Sequence, residues 1–211
     1  PYVFQIFSQL LEFRPHGTGL GDAYSAMLQG CLSPTAWERR GNIPALSRLL
    51  RAYLQQAAGE IVSSGSFMAM MGVWQKLVAS KANEQSSFEL LTSITRFVPP
   101  TALKPIWGQV FGILFRRLQS GKTPRFVRLL TNFFALFVGK FGSQAFFDQL
   151  NAVQSGMGLM IMMQVWLPRL KTDAPIRLDA KMHVVALTKL SCETAALLSD
   201  DNAKQLWGQT V

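Results

Sequence analysis

Trp37–Leu54 reads WERRGNIPALSRLLRAYL. Asn42 carries a side-chain oxygen that can cap the orphan amides of a helix N-terminus. Pro44 falls in the first turn, where its missing N–H costs no intrahelical bond. Ile43, Leu46, Leu49, Leu50, Tyr53 and Leu54 then recur at helical spacing and make one apolar stripe. Arg48 and Arg51, three residues apart, share another face, and Arg39 and Arg40 sit in the preceding turn. The stretch therefore encodes a helix with one packing face and a basic edge left for water or a partner.

The same grammar returns along the chain. Helix-start signals at Asn42, Asn83 and Thr123 are 41 and 40 residues apart, and each is followed by an apolar stripe. One period before Asn42 lies the N-terminal stripe Val3–Phe13. A self-similar period of about 40–47 residues is the signature of HEAT and armadillo arrays. The expected fold class is all-α, a HEAT-repeat α-solenoid of antiparallel helix pairs. It is a single segment with repeats near 1–40, 41–81, 82–121, 122–172 and 173–211.

The first repeat reads as a helix with Val3, Phe4, Phe7, Leu10 and Leu11 inward. The break Arg14–Gly19 follows, and then a helix from about Asp22 to Leu32. The organising helix is expected over about Pro44–Ala57 and its partner over Ser66–Ala79, with Phe67, Met70, Met71, Trp74, Leu77 and Val78 inward. In the third repeat Ser86 and Glu89 have capping-box spacing. After Pro99-Pro100, Thr101 is expected to cap one long helix to Ser120. Thr123-Pro124 opens a helix to Lys140 that is apolar nearly all round, as in a helix covered on several sides. Helices over 143–152 and 157–167 follow. The next start, Asp173, comes 50 residues after Thr123 and implies an insertion or a broken helix. The last repeat is expected to run from Arg177 to Leu198, with Met182, Val185, Ala186, Leu190 and Leu197 inward, and a further helix starts at Asp200-Asp201-Asn202.

The chain has 211 residues, 49% of them hydrophobic, and a net charge of +9. That composition excludes a disordered tail. It begins at Pro1 rather than Met and is read as a piece of a longer protein, so its charge describes the piece. Cys31 and Cys192 lack any CxxC context, which argues for packed thiols in a reducing compartment rather than a disulfide framework. The longest near-apolar run, Met157–Leu167, is interrupted by Gly158 and Gln164 and falls short of the ~20 residues of a spanning helix. No membrane insertion is expected, and the nucleus or cytosol fits.

Two motifs dissolve on inspection. Ser120-Gly121-Lys122-Thr123 ends like a phosphate-binding loop, but Arg116 stands where the first glycine is required and a helix, not a strand, precedes it. A helix end followed by a Thr cap explains it. Gly17–Gly21 resembles a dinucleotide loop, but Asp22 occupies the last glycine position. His16 and His183 have no metal-ligand spacing, and the acidic residues form no acid–base couple. No catalytic residue, metal or cofactor is expected, and the chain is not read as an enzyme.

The candidate site is the basic group Arg39, Arg40, Arg48 and Arg51, as a partner-binding ridge. In a solenoid each repeat contacts only its neighbours, which leaves long ridges free. Basic residues come in pairs and triplets rather than one dense stripe, so an acidic protein partner is favoured over nucleic acid. A nucleic-acid array would show a steep salt slope. A HEAT-type scaffold or regulatory subunit is the remaining alternative.

WERRGNIPALSRLLRAYL, VWQKLVASKANEQSSFELLTSI and FGILFRRLQSGKTPRFVRLL resemble the C-terminal HEAT repeats of the CAS-type exportins, within the importin-beta superfamily. The resemblance extends from PYVFQIFSQLLEF to AKQLW and is weaker after Phe141. It implies a superhelical parent without enzymatic activity that binds importin-alpha together with Ran in its GTP form. The parent would recycle importin-alpha from nucleus to cytoplasm, meeting nucleoporins at the nuclear envelope. Hydrolysis on Ran would release the cargo. The family's contact residues form no short motif that maps onto this chain, so the four arginines rest on charge alone.

Overall fold

The computed structural model describes residues 1–15, 18–194, 204, 205 and 208. Among these, every regular element is helical. They form two compact units, Pro1–Ile106 and Trp107–Val211.

The first unit contains α1 (Tyr2–Glu12), α2 (Gly21–Leu32), α3 (Ile43–Ser63), α4 (Ser66–Ala79), α5 (Glu84–Phe97) and the short α6 (Pro100–Leu103). Two 3-10 turns, Pro34–Trp37 and Arg40–Asn42, lead into α3. α3 lies between α1 and α5, while α2 packs on α4 as a second row. Ile43, Leu46, Leu49, Leu50, Tyr53 and Leu54 are all buried, so the stripe faces inward as its spacing predicts. The Tyr53 hydroxyl donates to the Tyr24 carbonyl at 2.8 Å and ties α3 to α2. Burial pushes its pKa up, and the hydrogen bond meets the polar requirement that burial imposes.

Several local expectations fail for physical reasons. Asn42 occupies the N-cap position of α3 but makes no side-chain cap bond, because a 3-10 turn runs straight into the helix. Ser86 lies inside α5 rather than at its cap. α3 does not stop at Ala57. The backbone kinks there (φ −145°, ψ 38°) and the helix continues past Gly59. Burial of Ile61 and the bond from the Leu20 amide to Glu60 at 2.9 Å hold that extension in place. The helix expected from Thr101 to Ser120 is three pieces: α6, a 3-10 turn over Lys104–Ile106, and a helix from Trp107. Pro105 has no amide hydrogen to give, which favours such a break. On α1 only Leu11 of the expected stripe is buried; Phe4 and Phe7 are half-buried, and Val3 and Leu10 are exposed.

Gly65 joins α3 to α4 with φ 76°, a left-handed conformation that a Cβ disfavours. Gly72, on the exposed side of α4, has ordinary helical geometry and open space where a Cβ would stand. Gly65→Ala is expected to cost about 1–2 kcal/mol, and Gly72→Ala to gain about 0.5–1 kcal/mol. Urea denaturation of the two variants should move the midpoint in opposite directions.

The second unit contains α7 (Trp107–Ser120), α8 (Pro124–Phe141), α9 (Ser143–Val153), α10 (Met157–Ile161), α11 (Leu167–Thr172) and α12 (Arg177–Glu193). α8 is central and packs on α12, α9 and α7. Thr123 caps it, accepting from the Phe126 amide at 3.0 Å. Its rings build an aromatic core: Phe134 stacks on Phe111 at 6.0 Å and meets Phe146 edge-on at 5.1 Å, and Phe137 meets Trp107 at 5.0 Å. A π-helical stretch, Met162–Trp166, joins α10 to α11. It falls where Pro168 withholds the donor that an α-helical ladder needs. The segment expected to end at Leu167 therefore continues to Thr172. Gly158 lets α10 close on α9, since a Cβ there would sit 2.4 Å from the Phe147 ring.

On α12, Ala186 and Leu190 are buried as expected, but Val185 is 51% exposed. Cys31 is packed in α2, while Cys192 is exposed rather than packed. His16, Leu197 and the helix start at Asp200-Asp201-Asn202 lie outside the described residues.

Candidate functional site

The candidate ridge begins at the turn before α3. Trp37 donates its indole N–H to the Cys31 carbonyl at 2.8 Å, which anchors that turn to the end of α2. Arg39 then adopts an extended backbone and Arg40 opens the second 3-10 turn. Both are exposed. No hydrogen bond or ion pair to the described residues engages either side chain. The turn is fixed while its two guanidinium groups remain in solvent, the condition for meeting an acidic surface without first breaking an internal contact.

Arg48 and Arg51 are placed differently. Arg48 forms a two-pronged pair with Glu12 of α1, Nε to Oε1 at 3.0 Å and Nη2 to Oε2 at 2.7 Å. Arg51 reaches the other way, to Glu89 of α5 at 3.4 Å. Glu89 also accepts from Gln85 at 2.9 Å. The hydrogen bond from Arg48 holds the Glu12 carboxyl below the usual carboxylate range, with the charges of Arg48 and Arg51 adding to it. The same bond raises the pKa of Arg48. The four arginines thus divide into a free pair in the turn and a pair on α3 that bridges to the helices on either side. The Arg48 and Arg51 side chains are 43% and 44% exposed, so these bridges remain open to competition from a partner.

Glu12 and Glu89 were not singled out in the sequence, though a signal was present. They stand 36 and 38 residues from their partners, close to the helix-start period. Gln29 to Ser66, Leu20 to Glu60 and Gln56 to Arg14 span 37, 40 and 42 residues. In the second unit the corresponding bonds span 45 to 51 residues, in step with the 50-residue interval after Thr123.

The second unit holds a polar cluster that patterning did not reveal. The Trp166 indole donates to His183 Nδ1 at 2.9 Å, and His183 Nε2 meets Asn132 Oδ1 at 2.9 Å. Asn132 donates onward to Asp179 at 2.7 Å. Burial first, and then the charge of Arg169, lower the His183 pKa to about 4. Arg128 pairs with Asp173 at 2.7 Å, and the buried Arg169 lies 3.6 Å from the same carboxylate. The cluster fastens α12 to α8. Its members point at one another rather than into a cleft, which is the geometry of a fastener and not of an acid–base centre.

Elsewhere, the GKT stretch is an inter-helix turn whose Gly121 carbonyl accepts from Arg117 at 2.6 Å. Burial raises the Cys31 thiol to about 11, away from thiolate reactivity. Among the described residues, no three His, Cys, Asp or Glu side chains are grouped to hold a metal. No helix among them is long and apolar enough to cross a membrane.

The family model for the C-terminus of CAS/CSE proteins matches residues 1–211. Exportin-2 of Xenopus laevis is 40% identical over 210 residues, covering 98% of this chain and 21% of that protein. Exportin-2 of Homo sapiens is 36% identical over 209 residues with the same two coverages. The chain spans about a fifth of the length of the curated relatives it matches. Among solved structures, the exportin Cse1 in its cargo-free, cytoplasmic state superposes with a TM-score of 0.86 at 29% identity, over 100% of this chain and 23% of that one. The all-α, HEAT-repeat solenoid class expected from the period is the class found.

Proposed function

Because the chain belongs to the CAS/CSE family of exportins, matching its C-terminal region from end to end, we propose that its parent is a nuclear export receptor for importin-alpha. The parent binds this cargo cooperatively with Ran in its GTP form, shuttles between nucleus and cytoplasm, and touches nucleoporins in passage. The observation that carries the reading is the match over the whole chain in both sequence and fold. Linkage supplies the mechanism: two ligands that favour the same conformation of a solenoid raise each other's affinity by the same factor, and loss of one loosens the other. The receptor needs no chemistry of its own, since hydrolysis belongs to the GTPase.

Within the chain, the ridge Arg39, Arg40, Arg48 and Arg51 is assigned to partner contact. Arg39 and Arg40 supply free charge for an acidic surface, and Arg48 and Arg51 supply charge at the cost of their bridges. Complementary charge of this kind acts mainly on the encounter rate and its salt dependence.

The test is capture of importin-alpha by the full-length protein with Ran locked in its GTP or its GDP form. Retention with the GTP form alone is expected; equal retention with both forms, or none with either, would overturn the reading. Arg39→Glu with Arg40→Glu is then expected to slow association about tenfold at low salt and to leave thermal stability unchanged. Unaltered association kinetics would remove the ridge from the contact surface while leaving the export reading intact.

A further inference from the structure

Two turns of the first unit repeat one arrangement. Arg40-Gly41-Asn42 leads into α3, and one period later Lys81-Ala82-Asn83 leads into α5. Arg51 lies 8 residues past the start of α3 and Glu89 lies 5 past the start of α5, and the two pair at 3.4 Å. The two helices therefore run side by side from nearly one level. Their entry turns share an edge, about 8–10 Å apart by ordinary helix spacing.

In each turn the asparagine occupies the N-cap position yet makes no side-chain cap bond. Both asparagines are half-buried, and the cation two residues before each is exposed. Lys81, like Arg39 and Arg40, is engaged by no hydrogen bond or ion pair to the described residues. Of the carboxylates beside these turns, Glu84 is buried and Glu38 is exposed, so the exposed charge of the edge is positive on balance. The connection from α1 to α2 is held at Arg14 and Leu20 by Gln56 and Glu60, toward the far end of α3.

A carboxamide matches a peptide unit, donating to its carbonyl and accepting from its amide. An extended strand advances about 3.3 Å per residue, so about three residues span the interval between the turns. Carboxylates on such a strand come within reach of the arginines and of Lys81. A single-stranded nucleic acid stacks its bases on aromatic side chains beside the cations it uses, and Ser80–Asn83 carries none.

We propose that the edge formed by the entry turns of α3 and α5 binds an extended acidic segment of a partner protein, with Asn42 and Asn83 pairing to its backbone and Arg39, Arg40 and Lys81 to its carboxylates. The inference rests on the assignment of Arg39 and Arg40 to partner contact and adds Lys81 and the two asparagines to that surface.

The probe is a short labelled peptide of alternating glutamate and serine, titrated into the full-length protein by fluorescence anisotropy. Binding that weakens with salt is expected. Lys81→Glu should weaken it about fivefold, the order of one exposed ion pair. Asn42→Ala with Asn83→Ala should weaken it about tenfold, the order of two hydrogen bonds. Neither asparagine caps its helix, so thermal melting of that variant should match the wild type. Lys76→Glu on α4, an exposed lysine outside this edge, makes the same change in net charge as Lys81→Glu and should have no effect. Arg39→Glu with Arg40→Glu separates the inference from the assignment beneath it. If that pair weakens binding while Lys81→Glu and the asparagine variant do not, the arginines keep their role and the proposal falls. It also falls if the wild-type protein ignores the peptide, if a peptide with lysines for glutamates binds as well, if Lys76→Glu weakens binding as much as Lys81→Glu, or if an oligothymidylate binds more tightly than the peptide.

Discussion

Phe134→Ala is expected to destabilise the second unit by about 3–5 kcal/mol, the range for emptying a well-packed aromatic site. Phe134 is fully buried. Its ring stacks parallel to Phe111 and lies within 6.5 Å of Phe115, Phe133, Phe146 and Trp166. These neighbours come from α7, α8, α9 and the π-helical stretch, so one truncation loosens four segments together. Collapse into the hole is hindered because the surrounding rings already lock one another edge to face. Phe13, at 86% exposure, provides the contrast: Phe13→Ala should change stability by less than about 0.5 kcal/mol. Chemical denaturation followed by tryptophan fluorescence reads both effects. A Phe134→Ala loss no larger than that of Phe13→Ala would mean that the aromatic cluster does not organise this unit.

Stability is expected to fall by about 3 kcal/mol as pH drops from about 6.5 to 4, through His183. His183 Nδ1 accepts the Trp166 indole hydrogen, so the proton of the neutral ring sits on Nε2 and is given to Asn132. Protonation would set two N–H groups against each other at Nδ1, in a buried site close to the Arg169 guanidinium. The folded form therefore prefers the neutral ring, with its pKa near 4 against the ordinary 6.5 of an unfolded chain. For a depressed histidine pKa the stabilisation is complete above the unfolded value. It is lost progressively as pH falls towards the folded one. Urea midpoints measured across this window should slope steeply in the wild type and flatten in His183→Gln. An equal slope in both proteins would remove His183 as the source.

The period of about 40 residues was legible because it is written in punctuation. Asn42, Asn83 and Thr123 each stand at the start of a helix that buries an apolar stripe. Pattern alone could not separate buried from exposed apolar positions on α1 and α12, because helical spacing gives a face its phase without saying whether a neighbour covers it. Val3 and Val185 share the phase of their stripes yet stand exposed. Nor could it reveal partners for Arg48 and Arg51, although one period away from each arginine lies its glutamate. The Trp166–His183–Asn132–Asp179 chain was out of reach for a different reason. It depends on how α12 returns to α8 after a π-helical stretch, and a local distortion of that kind leaves only Pro168 as its trace.

Apart from Tyr53 to Tyr24 and Trp166 to His183, the side-chain bonds between neighbouring repeats span 36 to 51 residues, and that interval bears on how the chain folds. The entropy of closing a loop grows only with the logarithm of its length. Here each closure is about one repeat long, so adding repeats adds further closures of the same size rather than longer ones. The rate-limiting search is then set by a single repeat, as expected when contacts stay local in sequence. Structure can therefore start at whichever repeat packs first and spread to its neighbours, allowing an array of such repeats to fold stepwise as it is synthesised.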